Sequence, residues 1–301
     1  MSGWLATPLT AALGCRYPIV QTAMGWVADA GLVSATTRAG GFGFLAGATI
    51  AAEALEGEIR KVIEATGGSN FGLNFHMFQD NAAQCVDLAI AYRLRAVSYG
   101  RGPDARTIAR FKAAGVLCMP TVGALKHALK AEQLGADLIT LQGGEGGGHT
   151  GGVPSSILLP QVLDAVRVPV IAAGGFATGR GLASALAAGA AGIAMGTRFL
   201  MTRESPTPAA TLERYLKVSD PQQVRVTTAV DGMRHRMIEN PFINRLEQAG
   251  PFGRLRIALG SAWQWKQHTG MSLGHMAAVF LRAVREDPAA LSQVCLLYTS
   301  D

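Results

Sequence analysis

The sequence predicts an α/β fold, a closed (β/α)8 TIM barrel with a small helical lid inserted after strand eight. Three observations predict it. Eight short apolar runs alternate with helical patterns at intervals of about 25 residues. The runs are continuously apolar, as parallel strands covered on both faces must be. The competing doubly wound sheet opens on a G-x-G-x-x-G fingerprint, and Gly40-Gly41-Phe42-Gly43 lacks that spacing, with no acidic residue at the right point after it.

The eight strands are expected at 17–21, 43–46, 71–75, 96–99, 116–119, 137–141, 168–173 and 192–196. Helices are expected over 29–39, 51–65, 80–92, 104–114, 123–134, 160–166 and 178–189. Residues 202–270 break the rhythm with Pro206, Pro208, Pro221, Pro241 and Pro251, many charges and several helical patches, and are read as a lid or substrate subdomain. An amphipathic helix over 272–286 then closes the barrel wall, so that the barrel takes 1–201 and 271–301. In the tail, Leu296-Leu297-Tyr298 leaves local docking or a homodimer open.

Composition narrows the function classes. At 301 residues and 49% hydrophobic, the chain can bury a large core. Its four cysteines, Cys15, Cys85, Cys118 and Cys295, are scattered, with no C-x-x-C pair to indicate zinc or a disulfide scaffold. The start lacks a basic signal-peptide segment, and the low-charge stretch between Arg180 and Arg198 reads as a buried helix and strand; the expected location is cytoplasmic, with no membrane partner. The net charge of +6 comes from dispersed arginines without a basic block or interleaved aromatics, which argues against nucleic acid and leaves an anionic small-molecule substrate open.

The chemistry concentrates at the carboxyl ends of the expected strands, the active face of such barrels. Gly174-Gly175 follows strand seven and Gly196-Thr197 follows strand eight. Backbone N–H groups in such turns cradle a phosphate, and the Thr197 hydroxyl adds a donor. Asn74 ends strand three, where its amide either meets the polar edge of a ring cofactor or satisfies the loop. Met24 follows strand one and can pack on a flat ring or on the barrel top. Gln142 ends strand six within reach of the same ligand.

Strand six runs into Gly143-Gly144-Glu145-Gly146-Gly147-Gly148-His149-Thr150-Gly151-Gly152. Each glycine costs chain entropy, so the cluster points to close approach of backbone and ligand. His149 is the candidate catalytic residue, since an imidazole exchanges protons near neutral pH. His76, after strand three, carries minor weight, while His127, His235, His268 and His275 lack the setting of His149. No H-x-H or H-E-x-x-H pattern accompanies it, so no metal is expected. There is no G-x-S-x-G elbow, and Ser155-Ser156 after Pro154 reads as a helix cap.

In Tyr17 to Met24, Gly40 to Gly43, Gly72 to Phe75, Gln142 to Gly151, Ala172 to Gly175 and Ala194 to Phe199, the chain resembles the nitronate monooxygenase family and the related flavin-dependent enoyl-thioester reductases. The segment Thr227 to Arg236 with Asn240-Pro241 extends the likeness into the lid. Gln21-Thr22-Ala23-Met24 departs from the Ala-Pro-Met form of many relatives. The resemblance implies FMN, with Met24, Asn74 and Gln142 near the flavin, Gly174, Gly175, Gly196 and Thr197 at its phosphate, and His149 as the active-site histidine.

The first reading it implies is oxidation of alkyl nitronates or nitroalkanes by dioxygen to a carbonyl product and nitrite. The alternative is NAD(P)H-dependent reduction of an unsaturated acyl-CoA or acyl-carrier thioester, with Arg225, Arg234 and Arg236 open either to the coenzyme A phosphates or to solvent. A flavin-binding barrel without turnover, and a phosphate-sugar isomerase or synthase on the same fold, are the options from other classes.

Overall fold

In a computed structural model, residues 5–100, 102–230 and 232–250, with 253, 256 and 257, are described. The first element, α1 (Pro8–Leu13), has no counterpart in the expected barrel rhythm. Thr7 caps it, with Thr10 answering through its own hydroxyl, and Pro8 starts the helix where its missing N–H costs nothing. Leu9 and Leu13 are fully buried and join the interior cluster of Phe42, Phe44, Met119, Leu138 and Ile171. Arg95 clamps the helix by donating Nε–H to the Ala12 carbonyl at 2.7 Å.

The repeats follow as β1 (Ile19–Gln21), α2 (Ala30–Arg38), β2 (Phe42–Ala46), α3 (Ala52–Thr66), β3 (Gly72–Phe75), α4 (Ala82–Ala91), β4 (Ala96–Tyr99), α5 (Ala105–Ala113), β5 (Leu117–Val122), α6 (Leu125–Leu134) and β6 (Ile139–Gln142). Then come β7 (Gly148–His149), α7 (Ser155–Ala165), β8 (Val170–Ala173), α8 (Gly179–Ala187), β9 (Gly192–Met195) and α9 (Thr197–Leu200). The eight longer strands close in the order β1-β2-β3-β4-β5-β6-β8-β9, all parallel, and β9 returns to β1 with Ile19 opposite Ile193. This is the (β/α)8 barrel that the apolar runs predict.

Every residue of β2, β4 and β8 is buried, because one face fills the barrel and the other meets helices. The Phe42 and Phe44 rings meet edge to face at 5.2 Å and 70° inside. Gly72 on β3 leaves room for them, since a Cβ there would overlap the Phe44 ring. Gly72→Ala is expected to cost about 1–3 kcal/mol by overpacking. The measurement is the denaturant midpoint; an unchanged midpoint would show that the ring moves freely.

One helix begins earlier than expected. Residues 160–166 were the expected span, but α7 starts at Ser155 and carries Pro160 inside. A proline deletes one helical N–H bond and usually marks a start or a break. Here Leu158, Leu159 and Val162 bury against the barrel and hold the turn around it.

Past β9 come α10 (Ala209–Leu216), β10 (Val224–Thr227), β11 (His235–Ile238) and α11 (Pro241–Gln248). The expected lid stretch thus holds helices and also a β-hairpin. The chain divides into two compact units. One is Met1–Gly146 with Thr150–Lys217; the other takes Gly147–His149 and, among the described residues, those from Val218 onward. In the smaller unit β10, β11 and β7 form an antiparallel sheet, and Val230, Ile243 and Leu246 form its core. The expected closing helix over 272–286, the tail, Cys295, His268 and His275 lie outside the described residues. Among the described residues, no helix is long and apolar enough to cross a membrane.

Candidate functional site

Two turns at the carboxyl ends of adjacent barrel strands are built from backbone alone. After β8, Gly174 and Gly175 take φ of 94° and 79°, the left-handed region that favours glycine. A Cβ on Gly174 would stand 3.0 Å from the Gly146 nitrogen and 3.1 Å from the Gly143 oxygen. After β9, Gly196 leads into α9 at Thr197. The N–H groups of Gly175, Gly196 and Thr197 meet no acceptor among the described residues. Such a row of outward donors at strand ends fits an anionic oxygen cluster.

The turn after β1 is fastened to the same place. Both the backbone N–H and the hydroxyl of Thr22 donate to the Met195 carbonyl, at 3.1 and 3.2 Å. A Cβ on Gly196 would come within 3.6 Å of the Met24 sulfur. Met24 is half-buried beside the Gly196 turn. Asn74 on β3 donates from Nδ2 to the carbonyl and the hydroxyl of Ser98, both at 3.1 Å. That fixes the amide, and Oδ1 accepts no hydrogen bond among the described residues. Gln142, the last residue of β6, needs glycine at 146, where a Cβ would collide with its side-chain amide. Gln21, fully buried, donates to the Thr22 and Phe44 carbonyls at 2.6 and 3.1 Å.

The glycine-rich loop sits directly beside the Gly174 turn. Gly143 N–H donates to the Ala173 carbonyl at 3.0 Å, and Gly146 N–H to the Gly143 carbonyl at 3.1 Å. A Cβ on Gly143 would lie 2.7 Å from the Ser155 Cα, so the loop packs backbone against helix start. Glu145 caps α7 from outside: Ser155 donates its N–H and its hydroxyl to Oε2 at 2.9 and 2.8 Å. Ser155 is therefore the capped residue, with Pro154 at the cap position, rather than the cap itself. Its hydroxyl also reaches the Gly174 carbonyl at 3.2 Å, so its proton is shared between that carbonyl and the capping carboxylate.

His149 belongs to the smaller unit. It forms β7 with Gly148 and pairs opposite His235 of β11. The two imidazole centroids are 3.7 Å apart with the rings at 49°. His149 is exposed, His235 is 4% exposed, and Thr227 of β10 stands opposite His235 on the other side. His235 was set aside in the sequence because no glycine cluster surrounds it. Its alternating neighbours, Val224-Arg-Val-Thr227 and His235-Arg-Met-Ile238 around a turn at Gly232, are the hairpin signal that locates it.

Of the three lid arginines, Arg225 is committed. It binds Glu247 at 2.5 Å, Asn244 at 3.0 Å and Glu239 at 3.3 Å. Arg234 lines an open cleft of about 420 Å3 in the same unit with Thr227, Thr228 and Glu247. Arg236 pairs opposite Gly148. His76 stacks on Phe78 at 5.2 Å and 9° and approaches the Gly100 carbonyl at 3.4 Å. Burial pushes the thiols of Cys15 and Cys118 up to about 11 and that of Cys85 to about 12, so none is a thiolate nucleophile. Among the described residues, no group of three or more His, Cys, Asp or Glu could hold a metal ion.

Met24, Asn74, Gln142, Gly174, Gly175, Gly196 and Thr197 thus all fall at the carboxyl ends of strands in the barrel unit, and His149 on the sheet of the other. Barrel and turns define an oxidoreductase of the flavin-dependent superfamily that holds nitronate monooxygenases and enoyl reductases. Residues 6–89 and 76–259 match the family model described as nitronate monooxygenase, and the chain belongs to that family.

Among its relatives, the (3aS,4S,5R,7aS)-5-hydroxy-7a-methyl-1-oxo-octahydro-1H-indene-4-carboxyl-CoA dehydrogenase of Rhodococcus jostii is 48% identical over 267 residues, covering 89% of this chain and 75% of the relative. The structure of FabK from Thermotoga maritima superposes with a TM-score of 0.77 at 32% identity, covering 85% of this chain and 83% of that one. The nitroalkane oxidase of Streptomyces ansochromogenes superposes with a TM-score of 0.70 at 31% identity, covering 78% and 80%.

Proposed function

We propose that the chain is an FMN-dependent oxidoreductase of a coenzyme A thioester whose acyl group carries fused carbon rings. The observation that carries this reading is the 48% identity over 89% of the chain to the Rhodococcus carboxyl-CoA dehydrogenase, against 31% to the nitroalkane oxidase. It displaces the nitronate as the favoured substrate and takes up the thioester alternative.

The residues fit the cofactor. The N–H groups of Gly175, Gly196 and Thr197, with the Thr197 hydroxyl, would hold the FMN phosphate, in a cradle that a Cβ on either glycine would narrow. Met24 would pack on the ring, and Asn74 Oδ1 and the Gln142 amide would meet its polar groups. Bound FMN supplies two-electron acceptance and return. A thioester carbonyl acidifies the C–H beside it, and His149 takes that proton as general base in the direction of dehydrogenation. The adjacent carbon loses a hydride in the same direction. In the reverse direction, with NAD(P)H as reductant, His149 returns the proton to the same carbon. The Arg234 cleft suits the phosphates of the coenzyme A moiety.

Anaerobic stopped-flow mixing of flavin-loaded protein tests the reading. A saturated fused-ring acyl-CoA is expected to bleach the flavin absorbance, and propionate 3-nitronate is expected to leave it. Reduction by the nitronate and not by the thioester would restore the monooxygenase reading. Reduction by neither, nor by NAD(P)H, would make the chain a flavin-binding barrel without turnover.

A further inference from the structure

The turn after β1 holds a residue that its own backbone disfavours. Trp26 has φ of 59°, in the left-handed region that bulky side chains rarely enter. Its N–H donates to Thr49 Oγ1 at 3.0 Å, and the Thr49 hydroxyl reaches the Ala46 carbonyl at 3.3 Å. Gly25 is fixed by the same threonine, whose methyl would stand 3.0 Å from a Cβ at 25. The loop is thus built to keep Trp26 in an unfavourable conformation.

The indole gains little in return from the fold. It is 68% exposed and makes no hydrogen bond or ring contact among the described residues. A left-handed non-glycine costs stability, and here the strained backbone carries an indole that the fold leaves unburied, a combination that points to use. Its place narrows that use. Trp26 is two residues beyond Met24, on a loop at the carboxyl end of a barrel strand, the face on which such barrels do their chemistry. Phe78, 62% exposed, and Met77, 38% exposed, stand on the loop after β3, at the carboxyl end of a second strand.

We propose that Trp26 is a specificity-determining residue, an indole wall against which the fused-ring acyl group of the thioester packs. The inference rests on the acyl-CoA reading above. A rigid alicyclic skeleton presents a broad apolar face between any polar substituents, and a large flat side chain selects such a face by contact. A second copy of the chain is the other occupant that an exposed indole can take, and the test separates the two.

The holoenzyme and its Trp26→Gly, Trp26→Ala and Trp26→Phe variants are compared on a bicyclic methylhydrindane-carboxyl-CoA and on butyryl-CoA. Glycine relaxes the left-handed backbone, which guards against misfolding. Trp26→Gly and Trp26→Ala are expected to raise KM for the bicyclic thioester about tenfold or more. They leave butyryl-CoA within about twofold, and Trp26→Phe recovers most of the selectivity. Flavin content stays at the wild-type level.

An unchanged bicyclic-to-butyryl ratio in both small variants would overturn the proposal. So would a dimer-to-monomer shift in sedimentation with the ratio intact, which would give the indole to self-association. Calorimetric binding of the bicyclic thioester provides a readout without turnover. Wild-type binding that weakens in Trp26→Gly, with no turnover, would end the dehydrogenase reading and keep the wall; no wild-type binding would end both.

Discussion

His149→Ala is expected to lower turnover of the fused-ring thioester by about 100-fold or more, the usual share of a positioned general base, while flavin content stays at the wild-type level. The separation follows from where the residues sit. The turns and side chains proposed to hold the flavin belong to the barrel unit, whereas His149 is a residue of the small antiparallel sheet. Removing the imidazole deletes a proton acceptor but no hydrogen bond of Gly175, Gly196, Thr197, Met24 or Asn74 among the described residues. The check is kcat under saturating substrate beside the flavin absorbance of the same preparation. Retained turnover would take His149 out of the catalytic role; loss of flavin would make it a structural residue of the cofactor site.

The converse is expected of Gly175→Val. Here the φ of 79° is denied to a β-branched residue, and the new Cβ would meet the Glu145 Cβ at 3.2 Å. Left-handed strain of about 1–3 kcal/mol falls on the cradle itself. Each 1.4 kcal/mol is about a factor of ten in affinity, so FMN is expected to bind roughly ten- to a hundredfold more weakly. Titration of the apoprotein with FMN, followed by protein fluorescence, measures it, and circular dichroism shows whether the barrel persists. Unaltered FMN affinity in a folded variant would remove this turn from the phosphate site.

Much of the barrel is legible in the sequence because parallel strands are buried on both faces. Phe42-Gly-Phe-Leu-Ala46 and Val170-Ile-Ala-Ala173 stand out as apolar runs, and all their residues are buried. The glycines at 174 and 175 are legible for a related reason, since both take a left-handed backbone that side chains disfavour. The features that escape are those whose cause lies far away in the chain. Nothing within Gly148-His149 announces a strand; it is one because β11 pairs with it. The hairpin strands are half-exposed and carry arginines, so no apolar run marks them. His235 gains its importance only through register, and Glu145 caps a helix that begins ten residues after it. Pro160 hid the start of α7 because tertiary burial overrode its local preference.

The two-residue strand β7 has a consequence for biogenesis. On the ribosome, His149 emerges long before β11, and a strand this short cannot hold its shape without a partner. The barrel strands up to β9 can associate while the imidazole still lacks its place, because every one of them precedes residue 196. Placement of His149 is therefore a late event, gated by synthesis and pairing of the hairpin. A chain cut short after Lys217 would have its glycine turns and its histidine, yet the histidine would have no sheet to stand on.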